Sequence, residues 1–593
     1  MKGGELLMAN HLERRIAYFS MEIAVDPALP TYAGGLGVLA GDFLHSAADL
    51  GVPIVGVTLL CRKGYFRQEL DGKGQQMELP DHCAPEEGLE ALDVRVPVIL
   101  GNQTITVKAW RYLIRGISGF EVPVYFLDAG DLSNPSYERS LSDYLYGGDA
   151  HYRLCQEVVL GIGGVRMLRA LGFNRIDRFH MNEGHSALLA LALLEERKGS
   201  ANLGGATSQD IDGVRRNCIF TTHTPVPAGQ DQFPRDLAAA VLGPDRLSML
   251  QGTGCCSLGK LNMTYLGLRC SGYVNGVAMR HGEISQGMFP DYPIHAITNG
   301  VHAATWTSKP FQDLYDRHIP EWRKDNLYLR YAIGIDLGEI AQAHAIAKRA
   351  AIEEIAKATG VRLSEHLAVL GFARRAAAYK RSDLVFSDLN RLRDIREKCA
   401  PFQFVFGGKA HPRDEDGKAA IRAVYQAKEA LKDCIPVVYI ENYDLNWARL
   451  LTSGVDLWLN TPHRPYEASG TSGMKAALNG VPSLSVRDGW WLEGHFEGVT
   501  GWAIGYDEDP EDREIEIASL YQKLEHNILP LYYTRPKSYA AVMRSAIALN
   551  GAFFNTQRMM AQYVMNAYFP AEEDHRSEGA TSLLEKTASS TPV

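Results

Sequence analysis

Short apolar runs alternate along the chain with longer stretches in which apolar residues recur at helical spacing, and glycines separate the two kinds of segment. This alternation is typical of βαβ units, in which helices cover both faces of a parallel sheet. In the first half, residues 16–23, 52–60 and 218–222 predict strands, and residues 38–49 predict a helix.

The second half repeats the pattern more regularly, with helical patterns in the gaps between apolar runs. We therefore expect an α/β fold with two Rossmann-like, doubly wound domains that face one cleft, where ligands bind beyond the carboxyl ends of the strands. The runs that predict strands here are residues 367–372, 402–406, 436–440, 455–459 and 482–486.

A stretch rich in Trp, Pro and charge lies between the halves, and its poor periodicity from residue 299 to 330 predicts a hinge. We place the domain boundary at residue 299, so that residues 1–299 and 300–535 form the two domains. A helical segment follows at residues 536–570. Residues 571–593 are polar, acidic and rich in Ser and Thr, which predicts a disordered tail.

The composition narrows the class of protein. With 593 residues, of which 46% are hydrophobic and 22% charged, the chain can bury several cores. A net charge of -9 argues against nucleic acid as a partner. The most apolar stretch, residues 187–194, is too short to span a bilayer, and the first residues lack a signal-peptide pattern. We expect a cytoplasmic protein that binds no membrane.

The cysteine and histidine spacings give no metal site. Nine cysteines are scattered, and the adjacent pair Cys255 and Cys256 suits neither a disulfide framework nor zinc, which favours a reducing compartment. In HMNEGHS, the residues His180, Glu183 and His185 lack the HExxH spacing and a third ligand. Motifs of the GxSxG and P-loop kinds are absent from the sequence, which argues against common hydrolases and nucleoside triphosphatases.

Two loops in the first half carry candidate functional residues. In TYAGGLGVLAG, the glycines Gly34 and Gly35 lead into a helix whose free N–H groups favour an anion, although a tight packing turn is an equal alternative. In FTTHTPVPAG, His223 follows a β-type run and precedes two prolines; the alternative is a structural, partly buried histidine.

A third loop, GFARRAAAYKRSDL, concentrates positive charge after a predicted strand. It places Arg374, Arg375, Lys380 and Arg381 at what the pattern predicts to be the start of a helix. Cations are unfavourable at that end of a helix, so a nearby anion would explain them. The alternative is a solvated basic face.

A fourth loop, RPYEASGTSGMKAALNG, combines small residues with a lysine. Ser469, Gly470 and Thr471 could cap a helix and surround a phosphate, and Lys475 follows one turn later among apolar neighbours. A desolvated lysine has a lowered pKa suited to a Schiff base, whereas an ordinary surface lysine is the alternative. The aromatic pair Trp490 and Trp491 could stack on a sugar but is more typical of a core.

The segment EASGTSGMKAALNG closely resembles the cofactor-lysine signature of the α-glucan phosphorylases, which act on glycogen, starch or maltodextrin. Further matching segments are YFSMEIA, AGGLGVLAGDFLHSAADLG, RLCQEVVLGIGG, HMNEGHSAL, THTPVPAG, ITNGVH, RRAAAYKR, GGKAHP and ENYD. The resemblance covers residues 16–493 and is nearest to the compact bacterial and archaeal forms. It implies a GT-B type fold with a deep cleft, a C-terminal helix that crosses back to the N-terminal domain, and a homodimer or larger oligomer.

This resemblance implies phosphorolysis of an α-1,4-glucan by inorganic phosphate, with retention, to α-D-glucose 1-phosphate. Lys475 would form the Schiff base with pyridoxal 5′-phosphate, whose 5′-phosphate assists proton transfer from the substrate phosphate to the glycosidic oxygen. The further cofactor contacts that it implies are Arg374, Gly470, Thr471, Tyr443 and Trp306.

The resemblance also implies two sets of substrate contacts. The substrate phosphate would contact Gly34, Gly35, Arg375 and Lys380. The glucosyl unit would contact His223, Asn299, Glu467, Ser469 and Gly470. The catalytic set that follows is Lys475, Arg375, Lys380 and His223.

Three departures from longer phosphorylases change the expectations. Ala377 and Ala378 replace a polar His-Glu pair, and Asp444 replaces a basic residue near the cofactor. Little precedes the first motif, so we expect an enzyme without the N-terminal regulatory extension. The alternatives are a nucleotide-sugar-dependent glucan synthase, against which Lys475 in its SGMK context argues, and a catalytically silent glucan-binding protein.

Overall fold

The computed structural model describes residues 14–199, 205–226, 230–505 and 512–570, so the tail predicted at residues 571–593 lies outside the described residues. Strands and helices alternate along the described chain and give a mixed α/β fold with parallel sheets. The strands are β1 (Ile16–Phe19), β2 (Ile54–Leu59), β3 (Arg67–Leu70), β4 (Gln76–Leu79), β5 (Glu90–Leu100), β6 (Gln103–Arg115), β7 (Glu121–Asp128), β8 (Arg178–Asn182), β9 (Cys218–Thr221), β10 (Gln232–Pro234), β11 (Cys256–Ser257), β12 (Lys260–Asn262), β13 (Tyr273–Gly276), β14 (His295–Ala296), β15 (Ala368–Ala373), β16 (Phe402–Gly407), β17 (Val437–Ile440), β18 (Leu457–Asn460), β19 (Ser483–Val486) and β20 (Gly501–Ile504).

The first large sheet has the order β14-β13-β9-β8-β1-β2-β7-β6-β5. Neighbours from β14 to β7 are parallel, but β6 pairs antiparallel with both β7 and β5. The expectation of a wholly parallel sheet is therefore wrong at this edge. In the C-terminal half of β5 buried and exposed residues alternate, and Val96, Val98 and Leu100 are the buried ones. This is the usual pattern of a strand with one solvated face.

The second large sheet has the order β17-β16-β15-β18-β19-β20 and is parallel throughout. Each of the strands predicted in this half is confirmed to within two residues at either end. Every residue of β15 and β16 is buried, because helices cover both faces of the sheet, and this explains why the sequence shows continuous apolar runs. The two small sheets, β10-β12-β11 and β3-β4, are antiparallel.

Helices fill the connections between the strands. In the first part of the chain they are α1 (Gly35–Leu50), α2 (Ser136–Arg139), α3 (Ala150–Val158), α4 (Gly164–Ala170), α5 (Leu188–Lys198), α6 (Ser208–Arg215), α7 (Arg235–Leu242), α8 (Pro244–Gln251), α9 (Met263–Arg269) and α10 (Met279–Met288). A π-helical turn at Val159–Gly163 joins α3 to α4.

The later helices are α11 (Ala303–Trp306), α12 (Lys309–His318), α13 (Leu337–Thr359), α14 (Leu389–Lys398), α15 (Glu415–Leu431), α16 (Leu445–Gly454), α17 (Ser472–Leu478), α18 (Trp491–Gly494), α19 (Arg513–Lys523), α20 (Leu529–Thr534), α21 (Pro536–Ser545) and α22 (Thr556–Tyr563). The stretch read as an aperiodic hinge contains α11 and α12. In α12 the residues Phe311, Leu314 and Tyr315 are buried, which is helical spacing.

The prediction that the basic residues 374–381 begin a helix is wrong. After β15 the backbone N–H groups of Arg374 and Ala376 donate to the carbonyls of Gly407 and Lys409, so the chain stays extended beside the neighbouring loop. Only a 3₁₀ turn forms, at Ala378–Lys380. The argument from the helix dipole therefore does not apply to these cations.

The last described segment, α22 and the π-helical turn Val564–Tyr568 that follows it, packs on the first sheet. Its Tyr563 hydroxyl accepts a hydrogen bond from Asn275 Nδ2 at 2.8 Å, and the hydroxyl of Tyr568 lies 2.7 Å from His180 Nδ1. Ser46 of α1 and Thr556 of α22 are hydrogen-bonded at 2.6 Å. Among the described helices, none has the length and apolar character needed to cross a membrane.

Candidate active site

Loops at the carboxyl ends of the strands of both large sheets contact one another. Lys409 Nζ, after β16, donates to the carbonyl of Phe66 at 2.8 Å. Gln68 Nε2, on β3, donates to the carbonyl of Gly408 at 2.9 Å. The hydroxyl of Tyr32 accepts from the backbone N–H of Leu445 at 3.1 Å. The candidate residues lie on these loops and on the helices that follow them.

Lys475 lies in α17 and is buried, at 7% exposure. Its Nζ lies 3.7 Å from the centre of the Trp306 ring, and the indole N–H of Trp306 donates to Asp42 Oδ2 at 2.7 Å. Burial lowers the pKa of Lys475 to about 8, with Asp42 opposing the shift and Arg449 adding to it. At neutral pH this lysine is therefore much closer to its neutral, nucleophilic form than a surface lysine.

Glu467 pairs with one predicted cofactor contact, Arg374, and with one predicted ligand of the substrate phosphate, Lys380. Its carboxylate accepts from Arg374 Nη2 at 2.7 Å and from Lys380 Nζ at 2.7 and 2.8 Å. Burial would raise the pKa of Glu467, but the two cations and their hydrogen bonds lower it to about 2. Arg374 also donates to Asn460 Oδ1. The carboxylate thus occupies the position between cations where an anion would be stabilised.

Arg375 is exposed to solvent and lies near Tyr379, Tyr65 and Glu22. Partial loss of hydration opposes its charge, yet these neighbours raise its pKa. In return Lys380 and Arg375 lower the pKa of the Tyr379 hydroxyl against the effect of burial. A charged guanidinium that is open to solvent can bind an arriving anion.

The glycine loop begins α1 and faces open space. A Cβ atom added at Gly34 or Gly35 would meet nothing within 4 Å. The Gly34 N–H donates to Glu22 Oε2 at 3.2 Å, and the Ala33 N–H donates to the same oxygen at 2.5 Å. An internal carboxylate is therefore bound by N–H groups at the start of this helix.

His223 follows β9 and is enclosed by polar groups. Its Nε2 lies 2.7 Å from Asn182 Oδ1, and its backbone N–H donates to Glu183 Oε2 at 2.7 Å. Burial lowers the pKa of His223 to about 3, so the imidazole is neutral at physiological pH. Asn299 lies after β14, and its carbonyl accepts from Arg558 Nη2 at 2.9 Å.

The fourth loop supplies small residues next to the cations. Gly470 has φ of +87°, a conformation that favours glycine, and Thr471 immediately precedes α17. Ser469 is buried, and its carbonyl accepts from the Trp490 N–H at 2.9 Å. Tyr443 is half-buried after β17, and loss of hydration raises the pKa of its hydroxyl.

Several buried polar atoms here lack an internal partner. Within the described part of the chain, Arg374 Nε, Ser469 Oγ and Asn299 Oδ1 have no hydrogen-bond partner. Buried polar atoms are nearly always paired in proteins, so these three atoms indicate a polar ligand.

Sequence reasoning left Glu22, Asp42 and Tyr379 out of the site. All three belong to segments that were quoted for other reasons, namely YFSMEIA, AGGLGVLAGDF and AAAYKR. A carboxylate inside an otherwise apolar run, such as Glu22 or Asp42, was the available signal, because unpaired carboxylates are rarely buried. By contrast, Trp490 and Trp491 are fully buried core residues.

A cavity of about 310 Å³ is rich in aromatic side chains. Arg375 interacts electrostatically with both Tyr65 and His411, which line it. Other residues in its wall are Phe66, Tyr144, Tyr146 and Arg413. Aromatic faces with polar groups at their edges are suited to stacking on sugar rings.

Comparison with known proteins gives a consistent result. A family model described as carbohydrate phosphorylase matches residues 230–495. The chain is 37% identical to the maltodextrin phosphorylase of Thermococcus litoralis, over 94% of this chain and 71% of that protein. It is 35% identical to the glycogen phosphorylase of Mycobacterium tuberculosis, over 96% of this chain and 72% of that protein. It is 32% identical to the glycogen phosphorylase of Aquifex aeolicus, over 94% of this chain and 86% of that protein.

Proposed function

Since the chain belongs to the carbohydrate phosphorylase family, we propose that it cleaves α-1,4-glucans with inorganic phosphate and releases α-D-glucose 1-phosphate with retained configuration. The observation that carries this proposal is a group of three cations, the half-buried Arg374, the exposed Arg375 and the buried Lys380, together with a buried lysine of low pKa. A nucleotide-sugar-dependent synthase does not require Lys475, so that alternative is not favoured.

Pyridoxal 5′-phosphate, which this family generally uses, fits the residues present. Lys475 supplies a buried amine that is largely able to act as a nucleophile near neutral pH. Arg374 Nε and Ser469 Oγ supply polar atoms that lack a partner among the described residues. We assign Lys475 to the covalent attachment, and Arg374, Gly470, Thr471, Tyr443 and Trp306 to the surroundings of the cofactor. When bound, the cofactor supplies an acid–base phosphate group.

The cations would hold the substrate phosphate. Two phosphates in contact repel each other by several kcal/mol, on the order of 4 kcal/mol for unit charges near a protein surface. Arg375, Lys380 and the open start of α1 at Gly34 and Gly35 offset this repulsion by charge and by backbone N–H groups. Glu467 would have to share Arg374 and Lys380 with the arriving anion, because it now binds both.

The glucan would enter through the aromatic cavity. We assign His223, Asn299, Glu467, Ser469 and Gly470 to the glucosyl unit that is transferred. A neutral His223 can donate to or accept from a sugar hydroxyl without adding charge. Water would have to be excluded during turnover, because hydrolysis would compete with phosphorolysis.

We further propose that the two large sheets are the cores of two Rossmann-like domains, residues 1–299 and 300–535, of the GT-B type. Residues 536–570 would return to the first domain through α22. Hydrophobic cores around each sheet and the hydrogen bonds of Tyr563 and Tyr568 to the first sheet support this division. The cleft between the domains would then contain the candidate site.

The test is release of glucose 1-phosphate from maltodextrin with and without inorganic phosphate, on protein whose near-ultraviolet spectrum is recorded. We expect product only with phosphate, together with a pyridoxal absorbance band. Lys475→Ala should lose both the band and the product. A band without turnover would favour a silent glucan-binding protein, and the absence of both band and product would overturn the proposal.

The phosphate assignment has its own test. Arg375→Ala should raise the KM for phosphate by about 10- to 100-fold, the equivalent of one lost charge-assisted hydrogen bond. Arg375→Lys, which keeps the charge but not the planar fork, should lie between this variant and the natural protein. An unchanged KM in Arg375→Ala would refute the assignment.

A further inference from the structure

Two adjacent thiols lie outside the candidate active site, on the small sheet β10-β12-β11. Cys255 is buried and Cys256 is half-buried, and their Sγ atoms are 3.9 Å apart. Each of the nine cysteines is a free thiol. The sulfurs of Cys255 and Cys256 are hydrogen-bonded to each other, so one thiol can stabilise the thiolate of the other.

The surroundings of the two sulfurs differ. The Thr253 hydroxyl donates to Cys255 Sγ at 3.0 Å, and that sulfur lies 3.6 Å from the carbonyl of Leu250. Cys256 instead opens onto a cavity of about 240 Å³ whose wall contains Arg235, Gln251, Gly259 and Lys260. A small polar oxidant can therefore reach Cys256, whereas Cys255 is reached only through Cys256.

The electrostatics favour a thiolate on the accessible sulfur. The hydrogen bond from Cys255 and the charge of Arg235 lower the pKa of Cys256, although burial opposes this shift. The same pairing and burial raise the pKa of Cys255. A thiolate, rather than a thiol, is the nucleophile in oxidation chemistry.

We propose that Cys255 and Cys256 form a peroxide-reactive dithiol, in which Cys256 attacks a small hydroperoxide and Cys255 then closes a disulfide between neighbouring residues. The geometry points to this order because only Cys256 faces the cavity. The sulfur of Cys256 forms a bond to one peroxide oxygen, the O–O bond breaks, and the other oxygen leaves as an alcohol or water. Cys255 then attacks the sulfenic acid, and the hydroxyl group leaves as water with the Cys255 proton. Two thiols are oxidised and one peroxide is reduced.

Such a disulfide would be readily reversible. Consecutive Cα atoms are about 3.8 Å apart, which is shorter than the about 4.4 to 6.8 Å that unstrained disulfides span. Strained and accessible disulfides have more oxidising potentials and are easily reduced. Reduction by a thiol such as dithiothreitol should therefore restore both cysteines quickly.

The experiment treats the holoenzyme with hydrogen peroxide, alkylates free thiols and measures peptide masses. We expect the peptide containing Cys255 and Cys256 to lose two hydrogens and to escape alkylation, and dithiothreitol to reverse both effects. Cys434, a half-buried thiol elsewhere in the chain, serves as the internal comparison. Equal alkylation of Cys256 and Cys434 after peroxide would overturn the proposal.

A variant separates the two steps. Cys255→Ala should leave a sulfenic acid at Cys256 that dimedone labels, whereas Cys434→Ser should still form the disulfide. If the Cys255→Ala variant folds poorly, the rate of Cys256 alkylation in the natural protein is measured against pH instead. That rate should reach half its maximum at a lower pH than the rate of a model cysteine peptide, whose thiol has a pKa of about 8.5. A midpoint at or above that of the model peptide would contradict the assigned nucleophile.

Discussion

At the scale of single residues, the environment of Lys475 determines when it can react. The side chain is buried against the Trp306 ring, and Asp42, which accepts the indole N–H, only partly offsets the loss of hydration. Reactivity of an amine towards an aldehyde follows the fraction that is unprotonated. The structure thus links cofactor capture to pH.

We expect the rate at which cofactor-free protein captures pyridoxal 5′-phosphate to reach half its maximum near pH 8 and to fall about tenfold per pH unit below that value. Nα-acetyl-lysine, with its ordinary pKa, should show the same dependence at a midpoint more than two units higher. Absorbance measured against time gives both curves. Asp42→Asn removes the charge that raises the lysine pKa, so its midpoint should move lower. A midpoint near that of free lysine would contradict the buried position.

Glu467 makes a second prediction at this scale. Its carboxylate pairs with two buried cations, so Glu467→Gln should lower the free energy of unfolding at pH 7 by about 3 kcal/mol. The folded-state pKa of Glu467 is lowered from 4.5 to about 2, so this contribution is complete above pH 4.5 and is lost as pH falls towards 2.

Urea unfolding at several pH values measures this difference. Glu365→Gln is the matched control, because Glu365 pairs with Arg349 at 3.1 Å but both side chains are substantially exposed. That variant should cost under about 1 kcal/mol. A Glu467→Gln effect as small as that of the control would mean that the buried pairs contribute little.

At the scale of elements, α1 contains one glycine that is needed for packing, Gly41, and one that we assign to phosphate binding, Gly35. Gly41 packs against the loop that follows β1, and a Cβ atom added there would lie 1.9 Å from the carbonyl oxygen of Ala24. The space beside Gly35 is open. Gly41→Ala should therefore lower the free energy of unfolding by about 1 to 3 kcal/mol or more. Gly35→Ala should leave it unchanged or raise it by about 0.5 to 1 kcal/mol.

The KM for phosphate should depend on Gly35 more than on Gly41, the opposite of the order expected for stability. Gly35→Ala places a methyl group where we propose that phosphate approaches, so the KM for phosphate should rise while the unfolding midpoint does not fall. Initial rates at varied phosphate, measured beside urea unfolding, distinguish the two roles. If Gly35→Ala left the KM for phosphate unchanged, the open start of α1 would not be a phosphate contact.

The elements also show what the sequence could predict. Buried parallel strands such as β15 and β16 are continuous apolar runs between glycines, and these were predicted within two residues. The alternating pattern of β5 was present in the sequence but was overlooked. The loop at residues 374–381 could not be predicted, because hydrogen bonds to Gly407 and Lys409, distant in sequence, override its helical composition.

The sequence predicts those residues of the candidate site that belong to recognisable motifs, but not the contacts between them. Lys475 and the cations stood out by residue type, whereas the pairing of Glu467 with Arg374 and Lys380 depends on how β15 and β18 lie side by side. The hydrogen bond between Asp42 and Trp306 spans 264 residues and has no local signal. Tertiary contacts of this kind are invisible to periodicity.

At the scale of the whole molecule, α22 and the π-helical turn after it join the last described residues to the first sheet through buried hydrogen bonds. His180 on β8 makes two hydrogen bonds here. Its Nδ1 lies 2.7 Å from the Tyr568 hydroxyl, and its Nε2 lies 2.8 Å from Thr221 Oγ1. Arg558 of α22 also donates to the carbonyls of Thr298 and Asn299, beside the candidate site. The same helix therefore stabilises the fold and positions a site residue.

This arrangement predicts a pH-dependent stability. Burial lowers the pKa of His180 from 6.5 to about 3, so the folded protein keeps the imidazole neutral while the unfolded chain takes up a proton below pH 6.5. The contribution of His180 is thus complete above pH 6.5 and is lost as pH falls towards 3. His180→Gln should destabilise the protein at pH 7.5, and this penalty should shrink by about 2 kcal/mol at pH 5.

Tyr568→Phe is the matched control for the same hydrogen bond. It removes the hydroxyl partner but leaves His180 neutral and buried, so its penalty of about 1 to 3 kcal/mol should be the same at both pH values. Urea unfolding of the three proteins at pH 7.5 and pH 5 provides the comparison. If the penalty of His180→Gln were equal at the two pH values, His180 would be able to accept a proton in the folded protein. The C-terminal helix would then not seal it from water.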